Sequence, residues 1–172
     1  NQSKTLNEDT TASLSLSASD NDLDTLTYSI VTAPSSGTLS GSAASRTYTP
    51  NLNFNGVDSF TWRVSDGSAN SNTASYTLTV TSINDAPIAS SQAATVVEDT
   101  PTTIALAASD VDGDVLTYSI VSSPSNGTVS GSGASRTYTP NADYTGSDSF
   151  TFKATDGDLD SNVATVTITV AA

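Results

Sequence analysis

Apolar and polar residues alternate along most of the chain. In its first half, the clearest alternating stretches are residues 14–18, 26–30, 60–64 and 76–80. Successive side chains of a β-strand point to opposite faces of the sheet, so each stretch predicts a strand with one buried face. Threonine and serine fill the polar positions, as is usual on the solvent face of an antiparallel sheet. No window has the apolar spacing of an amphipathic helix, and the pattern therefore predicts an all-β protein.

The same alternation assigns side chains to the two faces of the predicted sheets. On the buried face we expect the apolar members of each stretch, among them Leu14, Leu16, Ala18, Tyr28, Phe60, Trp62 and Leu78. On the solvent face we expect the residues between them, among them Thr27, Ser29, Thr77 and Thr79. Large aromatic side chains dominate sandwich cores, so Trp62 and its counterpart Phe152 are expected as core anchors.

The second half of the chain repeats the first at a fixed distance of 90 residues (98 − 8, for Glu8 and Glu98). Residues 8–80 are identical to residues 98–170 at 43 of 73 positions, with no gap needed. Turn sequences such as Asp66-Gly67 separate about seven short strands in each copy. The predicted fold is therefore two tandem seven-stranded Greek-key β-sandwiches.

The repeat also sets the expected domain boundaries. Residues 1–83 form the first repeat with its first strand truncated, residues 84–87 (Asn-Asp-Ala-Pro) form a linker, and residues 88–172 form the second repeat. Because the chain begins inside a repeat, we expect it to be a piece of a longer protein whose targeting signals lie elsewhere. No run of residues is apolar enough for a signal peptide or a membrane span.

Composition narrows the function classes. The chain has 18 acidic and 5 basic residues and a formal net charge of −13, which opposes binding to nucleic acid or to an anionic membrane surface. It contains neither histidine nor cysteine, and its serines lie in no Gly-x-Ser-x-Gly motif and have no general base other than the carboxylates. We therefore expect a protein that is not an enzyme, does not bind nucleic acid and does not insert directly into a membrane.

Acidic side chains are concentrated in loops that follow predicted strands. The segment Asp110-Val111-Asp112-Gly113-Asp114 places three carboxylates within five residues, and Asp156 begins a second acidic loop; the first repeat carries Asp20, Asp22 and Asp66 at the equivalent positions. Carboxylates this close repel one another unless a cation lies between them. Oxygen ligands without imidazole or thiolate favour calcium. A single Asp-x-Asp-Gly run is usually a solvated turn, so the prediction rests on several such loops meeting at one end of a sandwich.

Several motifs together resemble a known family. They are Glu98-Asp99-Thr100, the Asp110-x-Asp112-Gly113-Asp114 loop, Tyr-Thr-Pro before an Asn- and Gly-containing loop, Asp148-Ser149-Phe150, Asp156-Gly157, and the linker Asn84-Asp85-Ala86-Pro87. Over essentially the whole chain, the repeats resemble the cadherin-like repeats of bacterial surface proteins and large adhesins, and more distantly the repeats of cadherin ectodomains. The resemblance implies a cadherin/immunoglobulin-like sandwich and calcium as the bound ion.

In cadherins, calcium ions lie among acidic residues of two successive domains and the linker that joins them. The resemblance therefore implies junction ligands at the matching positions, which are Glu8, Asn84, Asp85, Asp110, Asp112 and Asp156. Glu98 would face a following domain. Ser82 and Ala86 replace two linker ligands of the cadherins, and their Leu-Asp-Arg-Glu segment is absent, so Asp58 or Asn53 would have to serve instead.

The resulting expectation is a calcium-binding tandem module of a secreted or cell-surface adhesin. Calcium would make the junction rigid for cell–cell or cell–surface adhesion, and the further partner would be a cell-surface protein, a second copy or a polysaccharide. Two alternatives stay open at this stage: a carbohydrate-binding accessory module of a secreted polysaccharide-degrading protein, and a passive spacer.

Overall fold

The computed structural model describes all residues of the chain, 1–172. It is built from sixteen β-strands, and no helix that could cross a membrane is present. The chain divides into two compact units, Asn1–Ile83 and Asn84–Ala172. Both units are all-β, as the alternating pattern predicted.

The first unit contains seven strands in two sheets. They are β1 (Gln2–Asn7), β2 (Ala12–Ser15), β3 (Thr27–Thr32), β4 (Gly37–Ser42), β5 (Ser45–Pro50), β6 (Gly56–Ser65) and β7 (Ala74–Thr81). The four-stranded sheet has the order β1-β7-β6-β3, and the three-stranded sheet has the order β2-β5-β4. Strand β1 pairs in parallel with β7, and every other pairing is antiparallel.

The second unit repeats these seven strands and adds a short pair. Its strands are β8 (Ile88–Ser90), β9 (Gln92–Val97), β10 (Thr102–Ala105), β11 (Ala107–Ser109), β12 (Thr117–Ser122), β13 (Gly127–Ser130), β14 (Ser135–Pro140), β15 (Gly146–Thr155) and β16 (Ala164–Ala171). The sheets β12-β15-β16-β9 and β10-β14-β13 match those of the first unit, and β8 pairs with β11.

Each unit has its own core between its sheets. In the first unit, Tyr48 of β5, Phe60 of β6 and Leu78 of β7 have no exposed surface. Tyr138, Phe150 and Ile168 are their fully buried counterparts in the second unit. Burying one large apolar side chain contributes roughly 1.5–3 kcal/mol, so these facing residues account for much of the stability of each sandwich.

The expected register is confirmed for most positions. Phe60, Trp62 and Leu78 are buried, and Thr27, Ser29 and Thr79 are exposed. Tyr28 is only half-buried, because β3 is the edge strand of its sheet, and Thr77 is half-buried on the central strand β7.

Ala18 departs from the expectation. It was predicted on the buried face with Leu14 and Leu16, yet it is exposed and lies beyond the end of β2. The prediction was wrong because the residues around Ala18 pair with no strand. Its counterpart Ala108 lies in β11, is half-buried, and pairs with Ala89 of the neighbouring strand β8.

Candidate metal centre

The loop after β11 folds around the carboxylate of Asp110. The backbone N–H groups of Asp112 and Asp114 both donate to Asp110 Oδ1, at 2.9 and 3.3 Å. Gly113 lies between them with a φ of 81°, a left-handed conformation that glycine adopts without steric cost. The turn brings one carboxylate oxygen each from Asp110, Asp112 and Asp114 to within 4.8 Å of one another.

A second acidic loop, between β15 and β16, is organised by Asp156. Its Oδ1 accepts hydrogen bonds from the backbone N–H groups of Asp158 and Leu159, both at 2.7 Å. Its Oδ2 accepts a hydrogen bond from Asn84 Nδ2 at 2.9 Å. The bond from Leu159 and then the bond from Asn84 lower the pKa of Asp156, so this carboxylate is held in its charged form.

The residues that lead into the second unit reach both loops. Asn84 contacts Asp156, and the backbone N–H of Asp85 donates to Asp112 Oδ2 at 2.8 Å. Six of the residues proposed as ligands therefore lie at one end of the second unit, and we call them the acidic end: Asn84, Asp85, Asp110, Asp112, Asp114 and Asp156.

The acidic end is a cluster of carboxylates that repel one another. Local desolvation, followed by repulsion from Asp110, Asp112, Asp156 and Asp158, raises the pKa of Asp114. Asp110 Oδ2 is buried and accepts no hydrogen bond. A buried carboxylate oxygen without a donor is costly, and a cation is one partner that would compensate it. The donor set and this buried oxygen therefore fit a hard divalent cation.

The acidic loops of the first unit have the same hydrogen-bonded geometry, but their carboxylates are not clustered as in the second unit. Asp20 Oδ1 accepts from the N–H groups of Asp22 and Asp24 at 2.8 and 3.3 Å, and Asp66 Oδ1 accepts from Ser68 and Ala69 at 2.6 and 2.7 Å. The carboxylates of Asp20, Asp22 and Asp24 do not form a close group like that of the second unit.

Two further acids of the expected set form hydrogen bonds within their own units, Glu8 through its side chain and Glu98 through its backbone. Glu8 is buried, and its Oε1 accepts a hydrogen bond from the backbone N–H of Ile83 at 2.7 Å. Glu98 is half-buried, and its backbone N–H donates to the carbonyl of Ala171 at 2.8 Å.

Asp58, considered as a substitute ligand, lies inside the first unit instead of in an acidic loop. Its side chain is 4% exposed and accepts hydrogen bonds from the backbone N–H groups of Ser35, Ser36 and Ser59 and from the Tyr48 hydroxyl. Burial raises the pKa of Asp58, but these hydrogen bonds outweigh burial and leave the pKa below its usual value. The other proposed substitute, Asn53, donates its N–H to Asp9 Oδ1 at 3.0 Å.

This buried Asp–Tyr pair is a structural feature that the sequence reasoning missed. Asp148 repeats it, accepting from Ser125, Asn126, Ser149 and the hydroxyl of Tyr138. A signal was available, because a tyrosine precedes an aspartate by ten residues at the same place in both repeats (58 − 48 and 148 − 138). An identical polar pair on the apolar face of two predicted strands indicates a buried hydrogen bond.

Comparison with known proteins places the chain in a family. The family model described as "Bacterial Ig domain" matches residues 1–79 and again residues 84–169. No curated protein matches the chain. Among solved structures, mouse cadherin-23 EC22-24 is similar at 21% identity and a TM-score of 0.58, over 98% of this chain and 63% of that one.

Human mucin-like protocadherin EC1-2 is similar at 16% identity and a TM-score of 0.52, over 98% of this chain and 95% of that one. An endo-fucoidan hydrolase of glycoside hydrolase family 107 is 25% identical at a TM-score of 0.40; the match covers 99% of this chain but only 27% of the hydrolase. The cadherin likeness shows a shared sandwich fold. Because the family model covers almost all of both units, the chain belongs to the bacterial Ig domain family, as two such domains in tandem.

Proposed function

We propose that this chain is a calcium-binding tandem module of a secreted or cell-surface adhesin. The observation that carries the proposal is the acidic end of the second unit. There, carboxylate oxygens of Asp110, Asp112 and Asp114 lie within 4.8 Å of one another. The linker residues Asn84 and Asp85 hydrogen-bond to Asp156 of the other acidic loop and to Asp112.

The chemistry of these donors favours calcium over other common ions. Calcium takes six to eight oxygen ligands in flexible geometry, whereas magnesium requires a strict octahedron and retains its waters. Thiolate and imidazole ligands, which zinc and copper prefer, are absent because the chain has no cysteine or histidine. Asp110, Asp112, Asp114 and Asp156 would supply the charge, and Asp110 Oδ2 would gain the partner that it lacks.

Bound calcium would act mechanically. Asn84 and Asp85 already form hydrogen bonds with the two acidic loops. An ion shared by Asp85 and those loops would hold the linker, and with it the connection between successive repeats, in one conformation. A stiffened connection suits a module that presents or spaces an adhesive region outside the cell, where free calcium is abundant. Family membership and the tandem arrangement support this setting.

The alternative of a carbohydrate-binding module has less support. Such modules commonly stack sugars on exposed aromatic rings, yet every large exposed hydrophobic side chain of this protein is aliphatic. The aromatic residues are buried or half-buried. Binding to insoluble polysaccharide in a pull-down, in the absence of any calcium effect, would reverse the preference between the two functions.

Calorimetric titration of the whole chain tests the proposal. We expect saturable calcium binding with a Kd of roughly 10⁻⁴–10⁻³ M, the range of extracellular modules. The double variant Asp112→Asn with Asp156→Asn should abolish the tightest event. The matched variant Asp22→Asn with Asp66→Asn removes the same charge from the first unit and should leave that event in place. Equal loss in both variants would contradict the assignment to the second unit.

Thermal melts supply an independent measurement. Calcium at 100 times its Kd stabilises the state that binds it by about 2.7 kcal/mol for one site. For a domain of this size the melting temperature of the second unit should rise by several degrees between chelator and calcium. An unchanged melt would overturn the calcium proposal.

A further inference from the structure

The first unit has an open groove of about 410 Å³ that is lined by the edge strands of its two sheets, β3 and β4. The lining is mostly apolar: Ile30 of β3, Ala33 and Pro34 of the connection that follows, and Leu39 of β4. Arg46 of β5 is the only charged residue of this lining. A mostly apolar groove with one fixed polar group has the anatomy of a small-molecule site.

The groove is open on a side of the sandwich that no other strand covers. Residues 30–46 supply its whole lining. In the second unit, the additional strand β8 pairs with β11 and with neither β12 nor β13, the equivalents of β3 and β4. The calcium chemistry of the acidic loops gives this side of the unit no role.

Arg46 is a half-buried cation without an anionic partner. Its Nη1 donates a hydrogen bond to the carbonyl of Gly41, its Nη2 donates to no group of the protein, and its Nε is buried without an acceptor. The one ion pair of the protein joins Lys153 to Asp160. A guanidinium left unpaired in an apolar lining is notable in a chain with 18 acidic residues, because charges removed from water are normally paired.

The equivalent arginine of the second unit, Arg136, is more fully engaged. Its Nη2 donates to the carbonyl of Tyr118 at 2.8 Å, a bond that Arg46 does not make. Ser123 and Val129 stand where the first unit has alanine and leucine, so the equivalent surface is also less apolar. The first unit therefore combines a free donor with the more apolar lining.

We propose that this groove binds an aliphatic monocarboxylate. The carboxylate accepts a hydrogen bond from Nη2 of Arg46 and neutralises the guanidinium, a pairing that is charge-assisted and therefore strong. The hydrocarbon tail lies over Ile30, Pro34 and Leu39, and each methylene that leaves water strengthens binding. The proposal is independent of calcium and of the acidic end.

The same observations oppose other occupants. The lining contains no aromatic ring on which a sugar could stack. The net charge of −13 opposes docking onto an anionic membrane, so the ligand is a free carboxylate in solution. A cationic amphiphile would be repelled by the guanidinium of Arg46.

Titration of the whole chain with sodium octanoate in calcium-free buffer tests the proposal. Trp62 is the only tryptophan of the protein and pairs across strands with Ile30 of the groove, so its fluorescence reports on this site. We expect a saturable change in emission and a higher melting temperature for the first unit. Acetate, which lacks the tail, and octanol, which lacks the charge, should produce neither effect at the same concentration.

A matched pair of variants tests the role of the guanidinium. Arg46→Gln removes the charge and should weaken octanoate binding by about tenfold or more, the effect of losing a charge-assisted hydrogen bond. Arg136→Gln makes the same change in the second unit and should leave the affinity for octanoate unchanged.

A second pair keeps the test valid if Arg46→Gln fails to fold. Ala33 is exposed, so Ala33→Asp should fold, and its carboxylate should repel octanoate from the groove and weaken binding. Ser123→Asp is the matched control in the second unit and should have no effect on binding. No saturable response to octanoate, an equal response to octanol, or an equal loss of affinity in the control variants would each overturn the proposal.

Discussion

The hydroxyl of Tyr48 donates a hydrogen bond to Asp58 Oδ2 at 2.9 Å inside the first unit, and neither side chain has more than 4% of its surface exposed. The same bond joins Tyr138 to Asp148 at 2.8 Å in the second unit. Gly37 leaves room for the ring of Tyr48, since a Cβ there would come within 2.6 Å of it. Each unit therefore contains a buried charge that its own backbone and one tyrosine compensate.

Removing the tyrosine hydroxyl tests how much this compensation contributes. Tyr48→Phe keeps the ring but deletes one of the donors to a buried carboxylate, and hydrogen bonds to charged groups contribute about 1.5–3 kcal/mol. We expect the free energy of unfolding of the first unit to fall by that amount in urea. Tyr138→Phe should have a matching effect on the second unit. A loss below the error of the measurement in both variants would show that the hydroxyl is dispensable.

Acid should destabilise both units by protonating the buried aspartate of each tyrosine–aspartate pair. The hydrogen bonds lower the pKa of Asp58 and of Asp148 in the folded protein. A carboxyl whose pKa is lower when folded stabilises the protein above its unfolded pKa of about 3.9, and this contribution is lost as the pH falls through the folded pKa. Melting temperatures should therefore drop steeply below about pH 4. Asp58→Asn together with Asp148→Asn should flatten this dependence, and an unchanged slope would assign it to other carboxyls.

The Asp114 carboxylate should destabilise the second unit in the absence of calcium and stabilise it when calcium is bound. Desolvation and its acidic neighbours raise the pKa of Asp114, so its charged form is disfavoured in the folded protein without an ion. Asp114→Asn should therefore raise the melting temperature of the second unit in chelator and lower it in saturating calcium. Asp24→Asn, at the equivalent position of the first unit, serves as the control and should show no such reversal. The same sign of change under both conditions would count against an ion at this loop.

Leu23 occupies a strained position that can be relieved. It is 90% exposed with a φ of 62°, whereas the equivalent Gly113 has a φ of 81°. The left-handed conformation costs a non-glycine residue about 1–2 kcal/mol. Glycine avoids this cost, but part of the gain in stability is lost because glycine has greater conformational freedom in the unfolded chain. Leu23→Gly should stabilise the first unit by about 0.5–1 kcal/mol, and Gly113→Leu should destabilise the second unit by a similar amount. Chemical denaturation of the two variants measures both changes, and a shift of the same sign in both would contradict this reasoning.

Local pattern was sufficient to predict most of the fold. The alternation in β6 and β7 and the 90-residue repeat determine the buried face, the sandwich and the two units. Pairing with distant partners was not predictable from the pattern. Residues 17–19 (Ser-Ala-Ser) and Ala107–Ser109 (Ala-Ala-Ser) are almost identical, yet only the second is a strand, because only the second has β8 beside it.

The candidate site, too, was predictable from the sequence only in part. Clustered aspartates made the acidic loops visible in the sequence, and hydrogen bonds from Asn84 to Asp156 and from Asp85 to Asp112 connect the linker to both loops. Asp58 looked equally available as a ligand. Its saturation by Ser35, Ser36 and Tyr48 depends on a chain reversal that no short stretch of sequence specifies.

The parallel pairing of β1 with β7 has a consequence for a protein under tension. Six consecutive residues of β1, from Gln2 to Asn7, pair with Tyr76 to Thr81 of β7, and β9 pairs with β16 in the same way. Because the strands run in the same direction, pulling the two ends of a unit apart slides one strand along the other. The hydrogen bonds between them are then strained together and do not open one at a time. Each repeat should therefore resist stretching until the whole ladder gives way, which single-molecule pulling would record as one abrupt rupture per unit.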